Sequence, residues 1–359
     1  MSNTMEITYE QSGVDTKREE HALGRLSEVI KTTWPHRTKG VGAVKLDIGF
    51  YANVIDIGGG MGLALSADGV GSKVLIAQML NTYDTVGIDC VAMNVNDLIC
   101  VGATPLSIVD YIAVQEPNPE RVAELARGLA KGAKIAGVSI SGGEIAQLPE
   151  IVTGIKDGYA FDLAAMATGL VKLDKMIVGQ DVRDGDVVIG IESSGIHSNG
   201  FTLARRILAE EMEHAADSNL GTRLLTPTSI YVKEAMDLLA QRVPVKAFAH
   251  ITSDGLLNLN RCQAEVGFVI DSLPPIPQIF NLLQGCGNVS DEEMFRVYNM
   301  GIGFCVVVDR KDIERTKRII ESHGKATHVI GYAVADKRRR INLTQYKLIG
   351  TDTSFERVA

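Results

Sequence analysis

The stretch SADGVGSK, residues 66–73, organises the interpretation of the whole chain. The apolar run 62–67 leads into it and predicts a short strand that delivers Asp68 at its end. Gly69 and Gly71 are expected to permit positive φ and a close approach of backbone to a ligand. Lys73 follows, and the apolar run after it is typical of a helix.

This stretch has two interpretations. A carboxylate at a strand end, two glycines and a lysine at a helix start can seat a metal-bound polyphosphate. The same residues are also ordinary chemistry for a tight turn that carries a solvated lysine. The stretch is not a Walker A loop, because the G-x-x-x-x-G-K-[ST] spacing is absent.

Length and composition limit the protein class. A chain of 359 residues, 45% hydrophobic and 22% charged, predicts two globular domains with sizeable cores. The formal charge of −8 argues against a general nucleic-acid binder. The one basic cluster, KRRR at 337–340, is interpreted as a solvated strand edge.

The cysteines and the hydropathy favour a cytoplasmic protein. The five cysteines are scattered and form no C-x-x-C pair, which predicts reduced thiols rather than disulfides or a zinc site. No apolar run approaches the roughly 20 residues that span a bilayer. The N-terminus lacks the charged-then-apolar pattern of a signal peptide.

Strand and helix patterns form two series that divide near residue 172. The first series predicts strands over 44–50, 53–57, 62–67, 106–114, 138–141 and 162–171, and helices over 17–31, 74–80, 85–101 and 119–136. The second predicts strands over 187–191, 245–251, 266–270, 303–308 and 327–334, and helices over 201–210, 229–241, after Thr252 and over 310–323. The pattern indicates an α/β or α+β protein with domains 1–172 and 173–349 and an extended tail, 350–359.

The predicted helix 85–101 carries a polar arc. At about 100° per residue, one side collects Ile88, Val91, Val95, Leu98 and Ile99, and the other collects Asp89, Asn96 and Asp97. The arc is either a solvent-facing stripe or, beside Asp68, a source of the oxygen ligands that magnesium requires.

Two further carboxylates have open roles. Glu144 follows a strand and a glycine pair in SISGGE, residues 139–144, and is either a turn residue or an oxygen ligand. Asp110 lies within the apolar strand IVDYIA, where a buried acid needs a partner. It is either a ligand or a structural hydrogen-bonding group.

The second half presents two histidine loops. GIHSNG, residues 195–200, places His197, Ser198 and Asn199 between a strand and a helix N-terminus, which suits phosphate binding. His197 could transfer a proton near neutral pH, or it could be structural. HITSDG, residues 250–255, is a similar loop with His250. No Ser-His-Asp order or H-E-x-x-H is present, so hydrolase and metalloprotease activities have little support.

Eight ordered motifs resemble the aminoimidazole ribonucleotide synthetase family, the phosphoribosylformylglycinamidine cyclo-ligases of purine biosynthesis. The resemblance runs from about residue 9 to 341 and is carried by YEQSGVDTKREEHALGRL (9–26), SADGVGSK (66–73), GIDCVAMNVNDL (87–98), GATPLSIVDYIA (102–113), SGGEIAQLP (141–149), SSGIHSNG (193–200), AHIT (249–252) and YNMGIGF (298–304).

The resemblance implies a fold and a reaction. It implies a homodimer whose N-terminal sheets pair into a barrel, flanked by C-terminal α/β domains. ATP would phosphorylate the formyl oxygen of formylglycinamidine ribonucleotide, an amidine nitrogen would attack the activated carbon, and phosphate would leave as the imidazole ring closes.

The resemblance also implies roles for individual residues. Mg²⁺ ligands would be Asp68, Asp97 and Glu144. The triphosphate would be held by residues 68–73, which include Gly69, Gly71, Ser72 and Lys73. Lys73 would neutralise phosphate charge. Substrate or the transferring phosphoryl group would contact His197, Ser198 and Asn199, with His197 as the acid or base.

The chain departs from the family pattern in three places. GRIK becomes GRLSE at 24–28, so that Ser27 replaces a lysine for which Lys31 could substitute. A glycine-rich segment is reduced to KGVGA at 39–43, and HITGGG becomes HITSDG at 250–255. The alternatives to a cyclo-ligase are a thiamine monophosphate kinase-like phosphotransferase and a non-catalytic nucleotide-binding protein.

Overall fold

The computed structural model describes residues 7–209, 219–351 and 353–358, which form a mixed α/β protein with two sheets. The first sheet has the order β1-β2-β5-β3-β4 and contains β1 (Asn53–Gly58), β2 (Met61–Gly69), β3 (Thr104–Val114), β4 (Ser139–Gln147) and β5 (Phe161–Lys172). Its pairs are antiparallel except β3 with β4, which are parallel.

The second sheet has eight strands in the order β13-β12-β11-β8-β10-β6-β9-β7. They are β6 (Val187–Glu192), β7 (Ala247–His250), β8 (Val266–Ile270), β9 (Ile302–Val308), β10 (Thr327–Ala335), β11 (Ile341–Leu343), β12 (Leu348–Thr351) and β13 (Ser354–Arg357). The sheets share no strand, and the chain passes from one to the other between Lys172 and Val187. The predicted two-part α/β architecture is confirmed.

Helices pack against both sheets. Those of the described residues are α1 (Thr16–Lys31), α2 (Lys73–Leu80), α3 (Asp84–Cys100), α4 (Pro119–Ala136), α5 (Phe201–Ile207), α6 (Asn219–Leu224), α7 (Val232–Ala240), α8 (Gln278–Gly287), α9 (Asp291–Val297) and α10 (Ile313–Glu321). None of these helices has the length and hydropathy of a membrane span.

Local sequence signals fix α4. Asn118 precedes it and accepts the backbone N–H of Arg121, Pro119 occupies the first turn, and Gly137 ends the helix in the left-handed conformation with φ +72°. These are the residues that favour a helix start and a helix stop. The prediction of a helix over 119–136 is therefore confirmed to the residue.

Helix α3 is the central element of the fold. It is buried on almost every side, packs on β2 and β5 of its own sheet, and reaches β7 and α7 of the second half. It meets α4 at glycines: a Cβ on Gly128 would lie 2.0 Å from the carbonyl oxygen of Asp84, and one on Gly87 would lie 2.4 Å from the backbone nitrogen of Leu129. Only glycine permits this approach of two backbones.

Several predicted elements differ from the structure. Residues 44–50 form isolated bridges rather than a strand, because Gly49 turns the chain at φ +118°. The strand predicted over 138–141 continues as β4 to Gln147, and the helix predicted after Thr252 is a 3-10 helix, Gly255–Arg261. The expected tail, 350–359, is wrong as a description of the C-terminus, since β12 and β13 pair as a hairpin.

Candidate active site

Asp68 lies near the end of β2 and faces α3. The helix residue Asn94 clamps it: the Asp68 backbone N–H donates to Asn94 Oδ1 and Asn94 Nδ2 donates to the Asp68 carbonyl oxygen, both at 3.1 Å. The Gly69 N–H donates to Asp68 Oδ1 at 2.7 Å. Burial, and then the negative charge of Asp97, raise the pKa of Asp68 to about 6. Asp97 is therefore close enough to Asp68 for its charge to act on that carboxyl group.

Asp97 connects the two halves of the chain. Its Oδ1 lies 2.9 Å from Nδ1 of His250, which ends β7 and is fully buried. The other ring nitrogen, Nε2, lies 3.4 Å from Asn96 Nδ2, which can only donate. Nδ1 of His250 is thus the protonated nitrogen in the neutral ring, and it donates to Asp97. This bond fixes the direction of the Asp97 carboxylate.

Asn96 is a structural connector and not a ligand. Its Nδ2 donates to the carbonyl oxygen of Ser229 at 2.9 Å, and its Oδ1 accepts the backbone N–H of Tyr231 at 3.0 Å. Both side-chain groups are therefore used to dock the segment 226–231 of the second half on α3. Asn96 itself is fully buried.

Lys73 is also buried in the junction between the halves. Its Nζ contacts both oxygens of Asp89 at 2.9 Å and donates to the carbonyl oxygens of His197 at 3.0 Å and Thr226 at 2.7 Å. Asp89 Oδ1 also accepts the N–H and the hydroxyl of Thr228, at 2.7 and 2.6 Å. The structure thus differs from both sequence interpretations, because this ammonium neither faces solvent nor is free to contact a phosphate.

His197 is held beneath its loop. It is 2% exposed, with the left-handed φ of +66°, and its Nε2 accepts the backbone N–H of Ser194 at 3.2 Å and of Ser229 at 3.4 Å. Nδ1 therefore carries the proton of the neutral ring, and it has no partner among the described residues. Burial first, then the nearby charges of His250 and Lys73, keep the pKa of His197 well below its usual 6.5.

The loop after β2 is only partly as predicted. Gly71 has the expected positive φ, +69°, with open space where a Cβ would stand. Gly69 does not, because it still pairs with Ala164 as the last residue of β2. The Ser72 hydroxyl lies 2.9 Å from that of Thr202 and so ties the loop to α5.

Asn199 and the loop 250–255 open on a large cavity. The cavity measures about 470 Å³, and Asn199 Oδ1 is buried with no hydrogen-bond partner among the residues that the structure describes. Asp254 lines the same cavity with a left-handed φ of +69°, and burial raises its pKa. Ser198 is tied instead to Thr228, with hydroxyl oxygens 3.1 Å apart. The cavity has the size of a small-molecule site.

Glu144 lies on the other face of the first sheet. One row of paired residues crosses β2, β5, β3 and β4 through Gly69, Ala164, Tyr111 and Glu144. Because paired residues share a face, Asp68 in the next row points to the opposite face. Three strand spacings of about 4.8 Å place Glu144 about 14 Å from β2. A single chain therefore does not bring Glu144 to Asp68 and Asp97.

Asp110 lies on the same, helix-facing side of the sheet as Asp68, two strands away. Its carboxylate covers Gly143, because a Cβ at Gly143 would lie 1.4 Å from Asp110 Oδ1. Burial raises the pKa of Asp110.

Within residues 7–209, 219–351 and 353–358, no group of three or more His, Cys, Asp or Glu side chains is placed to hold a metal. Of the predicted trio, Asp68 and Asp97 lie on the α3 side of the sheet and Glu144 does not. The first two could hold a cation that takes its other ligands from phosphate and water.

Sequence reasoning missed the partners of these residues. Asn94 stands in the same motif as Asp97, and its amide could have been read as a strand clamp. Thr228 and Tyr231 belong to TPTSIY, residues 226–231, which carries no chemical signature. Their importance follows only from their position against α3.

Known proteins match most of the chain. Residues 49–171 match the family model of the AIR synthase related protein N-terminal domain, and residues 183–344 match that of its C-terminal domain. The phosphoribosylformylglycinamidine cyclo-ligase of Methanothermobacter thermautotrophicus is 44% identical over 344 residues, which cover 94% of this chain and 97% of the relative. That of Pyrococcus furiosus is 48% identical over 320 residues, 88% of this chain and 92% of the relative.

Solved structures share the fold. A thiamine-monophosphate kinase from Stenotrophomonas maltophilia K279a superposes with a TM-score of 0.61 at 19% identity, covering 84% of this chain and 91% of that one. The hydrogenase maturation protein HypE in complex with ATP gives a TM-score of 0.58 at 16% identity, with 83% and 85% covered. At these identities the likeness shows the fold alone. The family models and the curated relatives go further: the chain belongs to the phosphoribosylformylglycinamidine cyclo-ligase family.

Proposed function

We propose that the protein uses ATP to close the imidazole ring of formylglycinamidine ribonucleotide and forms aminoimidazole ribonucleotide, ADP and phosphate. The observation that carries the proposal is the electrostatic interaction of Asp68 with Asp97 at the junction of the two halves. The negative charge of Asp97 helps to raise the pKa of Asp68, and a site that gathers two carboxylates in this way suits a nucleotide-bound cation. The similarity to cyclo-ligases over nearly the full length of both chains supports formylglycinamidine ribonucleotide over thiamine monophosphate as the substrate.

The reaction divides into two steps. The formyl oxygen takes the γ-phosphoryl group of ATP, and the bond between that phosphorus and the ADP oxygen breaks. An amidine nitrogen then bonds to the activated carbon and loses its proton, and the carbon–oxygen bond breaks as phosphate leaves. Phosphorylation is needed because an amide oxygen is a poor leaving group.

The chain's own residues bind and orient the reactants. Asp68 and Asp97 would hold Mg²⁺, which neutralises charge on the phosphates when it is bound. His250 holds the Asp97 carboxylate in one direction through Nδ1–H. The open space at Gly71 would let the backbone approach the triphosphate, and the Ser72 hydroxyl holds the loop to α5 through Thr202.

Lys73 and His197 act together in this proposal. The Lys73 ammonium holds the His197 carbonyl oxygen and so positions the loop 195–200. His197 offers a neutral Nδ1–H, which can donate a hydrogen bond to a developing negative charge. Its role as a proton acid or base stays a prediction, and the burial of the ring favours the donor role.

We also propose a homodimer. The face of the first sheet turned away from α3 exposes large apolar side chains: Val109 (37% exposed), Tyr111 (43%) and Met166 (39%). Apolar faces of this kind support association with a second copy. Glu144 belongs to the same face, so any contact it makes with a bound nucleotide would arise across the dimer.

A cytoplasmic location completes the proposal. Cys90, Cys100, Cys262 and Cys305 are buried free thiols. Thiols of this kind are typical of a reducing compartment, where ATP is also available.

The test offers the purified protein ATP and Mg²⁺ with formylglycinamidine ribonucleotide, with thiamine phosphate, or with no acceptor. We expect ADP and an aminoimidazole product with the first acceptor alone. Equal ADP release in all three reactions would remove the cyclo-ligase assignment. Release with thiamine phosphate would favour a kinase, and no release with any acceptor would favour a binding role.

A further inference from the structure

A second cavity, here called the basic cavity, lies on another side of the junction. It measures about 420 Å³, within the range of small-molecule sites. Its walls come from α3 and α4 of the first half and from the segment 227–230, α7 and residues 323–325 of the second. None of Asp68, Asp97, Asn199 or His250 is among its lining residues.

The rim of the basic cavity is positive. Lys131, Lys233 and Lys325 line it with His323, against the single carboxylate Glu234. This excess is local, because the whole chain carries a formal charge of −8. Such a concentration of ammonium groups around a concave surface attracts anions.

Lys325 is the innermost of the three lysines. Its Nζ lies 3.2 Å from Ser229 Oγ and 5.2 Å from the centre of the Tyr231 ring, and no ion pair of Lys325 occurs among the described residues. The ammonium is half-buried, so it lacks full hydration, and the charge of Glu234 acts on it without an ion-pair contact. An anionic ligand would contact the ammonium directly.

Glu234 provides the opposite group at the base of the cavity. Its side chain is 4% exposed, and Oε2 is buried with no hydrogen-bond partner in the described part of the chain. The charges of Lys325, His323 and Lys233 act on this carboxylate, but the hydrogen-bonding capacity of the buried Oε2 stays unfilled, which is destabilising. A ligand that bears hydroxyl or amino groups would satisfy it.

We propose that the basic cavity binds a small organic phosphate that also carries hydroxyl or amino donors. The phosphate lies at Lys325 and the other rim lysines, and the donors reach Glu234. The proposal is independent of the ring-closing activity, because it concerns different residues and a different cavity.

Occupancy of the basic cavity is connected to the active site through one residue. The Ser229 side chain accepts from Lys325, its N–H donates to His197 Nε2, and its carbonyl oxygen accepts from Asn96. A ligand that draws the Lys325 ammonium away changes the polar environment of the segment that holds His197. The cavity is thus placed where a ligand can influence the loop 195–200.

Isothermal titration calorimetry of the full-length protein with glycerol 3-phosphate tests the proposal, with inorganic phosphate and glycerol as comparison ligands. We expect glycerol 3-phosphate to bind more tightly than either. Lys325→Gln should weaken binding by about tenfold or more, the contribution of one charged hydrogen bond. Lys131→Gln, at the exposed rim, should weaken it less. Glu234→Ala should weaken glycerol 3-phosphate and leave inorganic phosphate unchanged.

Two control variants locate the binding. Lys337→Gln removes an exposed lysine elsewhere, and Arg261→Gln removes a cation from the 470 Å³ cavity at Asn199. Both should bind glycerol 3-phosphate as the parent does. The proposal is overturned by no binding at millimolar ligand, by equal affinity for glycerol, or by an unchanged dissociation constant in both Lys325→Gln and Lys131→Gln. A loss confined to Arg261→Gln would place the ligand in the other cavity and also overturn it.

Discussion

Lys73→Met should lower the free energy of unfolding by about 4 kcal/mol, because removal of one partner from a buried ion pair costs about 3–5 kcal/mol. Two features of the structure support a loss of this size for the Lys73–Asp89 pair. Lys73 and Asp89 are both fully buried, and the ammonium also satisfies the carbonyl oxygens of His197 and Thr226. Methionine fills a similar volume but donates to none of these acceptors, and it leaves the Asp89 carboxylate without a counter-charge.

Urea denaturation monitored by circular dichroism measures the change. Lys45→Met is the matched control, because Lys45 pairs with Asp56 at 2.9 Å but is 32% exposed, and a pair of this kind contributes at most about 1 kcal/mol. Adding Asp89→Asn to Lys73→Met should recover part of the loss, since the unpaired charge is then gone.

The opposite outcome would restore the role predicted from sequence. If Lys73→Met loses less than about 1 kcal/mol and instead raises KM for ATP at unchanged kcat, the ammonium contacts the nucleotide and the buried clamp is refuted.

Asp97→Asn should lower kcat for ADP release by about a hundredfold or more while the protein stays folded, because the amide oxygen still accepts from His250 but no longer binds a cation well; near-parental turnover would contradict the ligand role. Asp68 has a folded pKa of about 6, above its ordinary value of 3.8. Folded protein therefore holds the proton that unfolded protein releases, and without Mg²⁺ stability should fall by about 3 kcal/mol as pH rises from about 4 to about 6. Urea midpoints across that range check this, and Asp68→Asn should flatten the profile; an equal fall in that variant would exclude Asp68 as its source. Tyr111→Glu should give a monomer in sedimentation velocity, whereas Tyr332→Glu, at 37% exposure on β10, should not change the oligomeric state; a parental dimer in both variants would place the interface elsewhere.

The polar arc of α3 shows why the sequence left two interpretations open. Helical periodicity correctly separated Asp89, Asn96 and Asp97 from the apolar side. It could not say what each would meet, and the structure gives three different answers. Asp89 holds the Lys73 ammonium, Asn96 binds backbone groups of the second half, and only Asp97 stands beside Asp68. The arc is therefore mainly an interface between the two halves.

The sequence by itself determined the local features that neighbouring residues set and the family to which the motifs belong. Helix α4 is set by Asn118, Pro119 and Gly137, and the family follows from eight ordered motifs whose spacing survives in the chain. Capping and backbone freedom act over a few residues, so periodicity and turn chemistry reveal them.

Only the tertiary structure decided which face each side chain occupies and which distant group it meets. Lys73 and Thr226 are 153 positions apart, yet a 2.7 Å hydrogen bond joins them. Glu144 and Asp68 lie on opposite faces of the first sheet because of the register of four paired strands. No local sequence pattern encodes that register. The physical reason is the same in both cases: burial and pairing are properties of packed elements, and a side chain acquires its charge environment only when those elements meet.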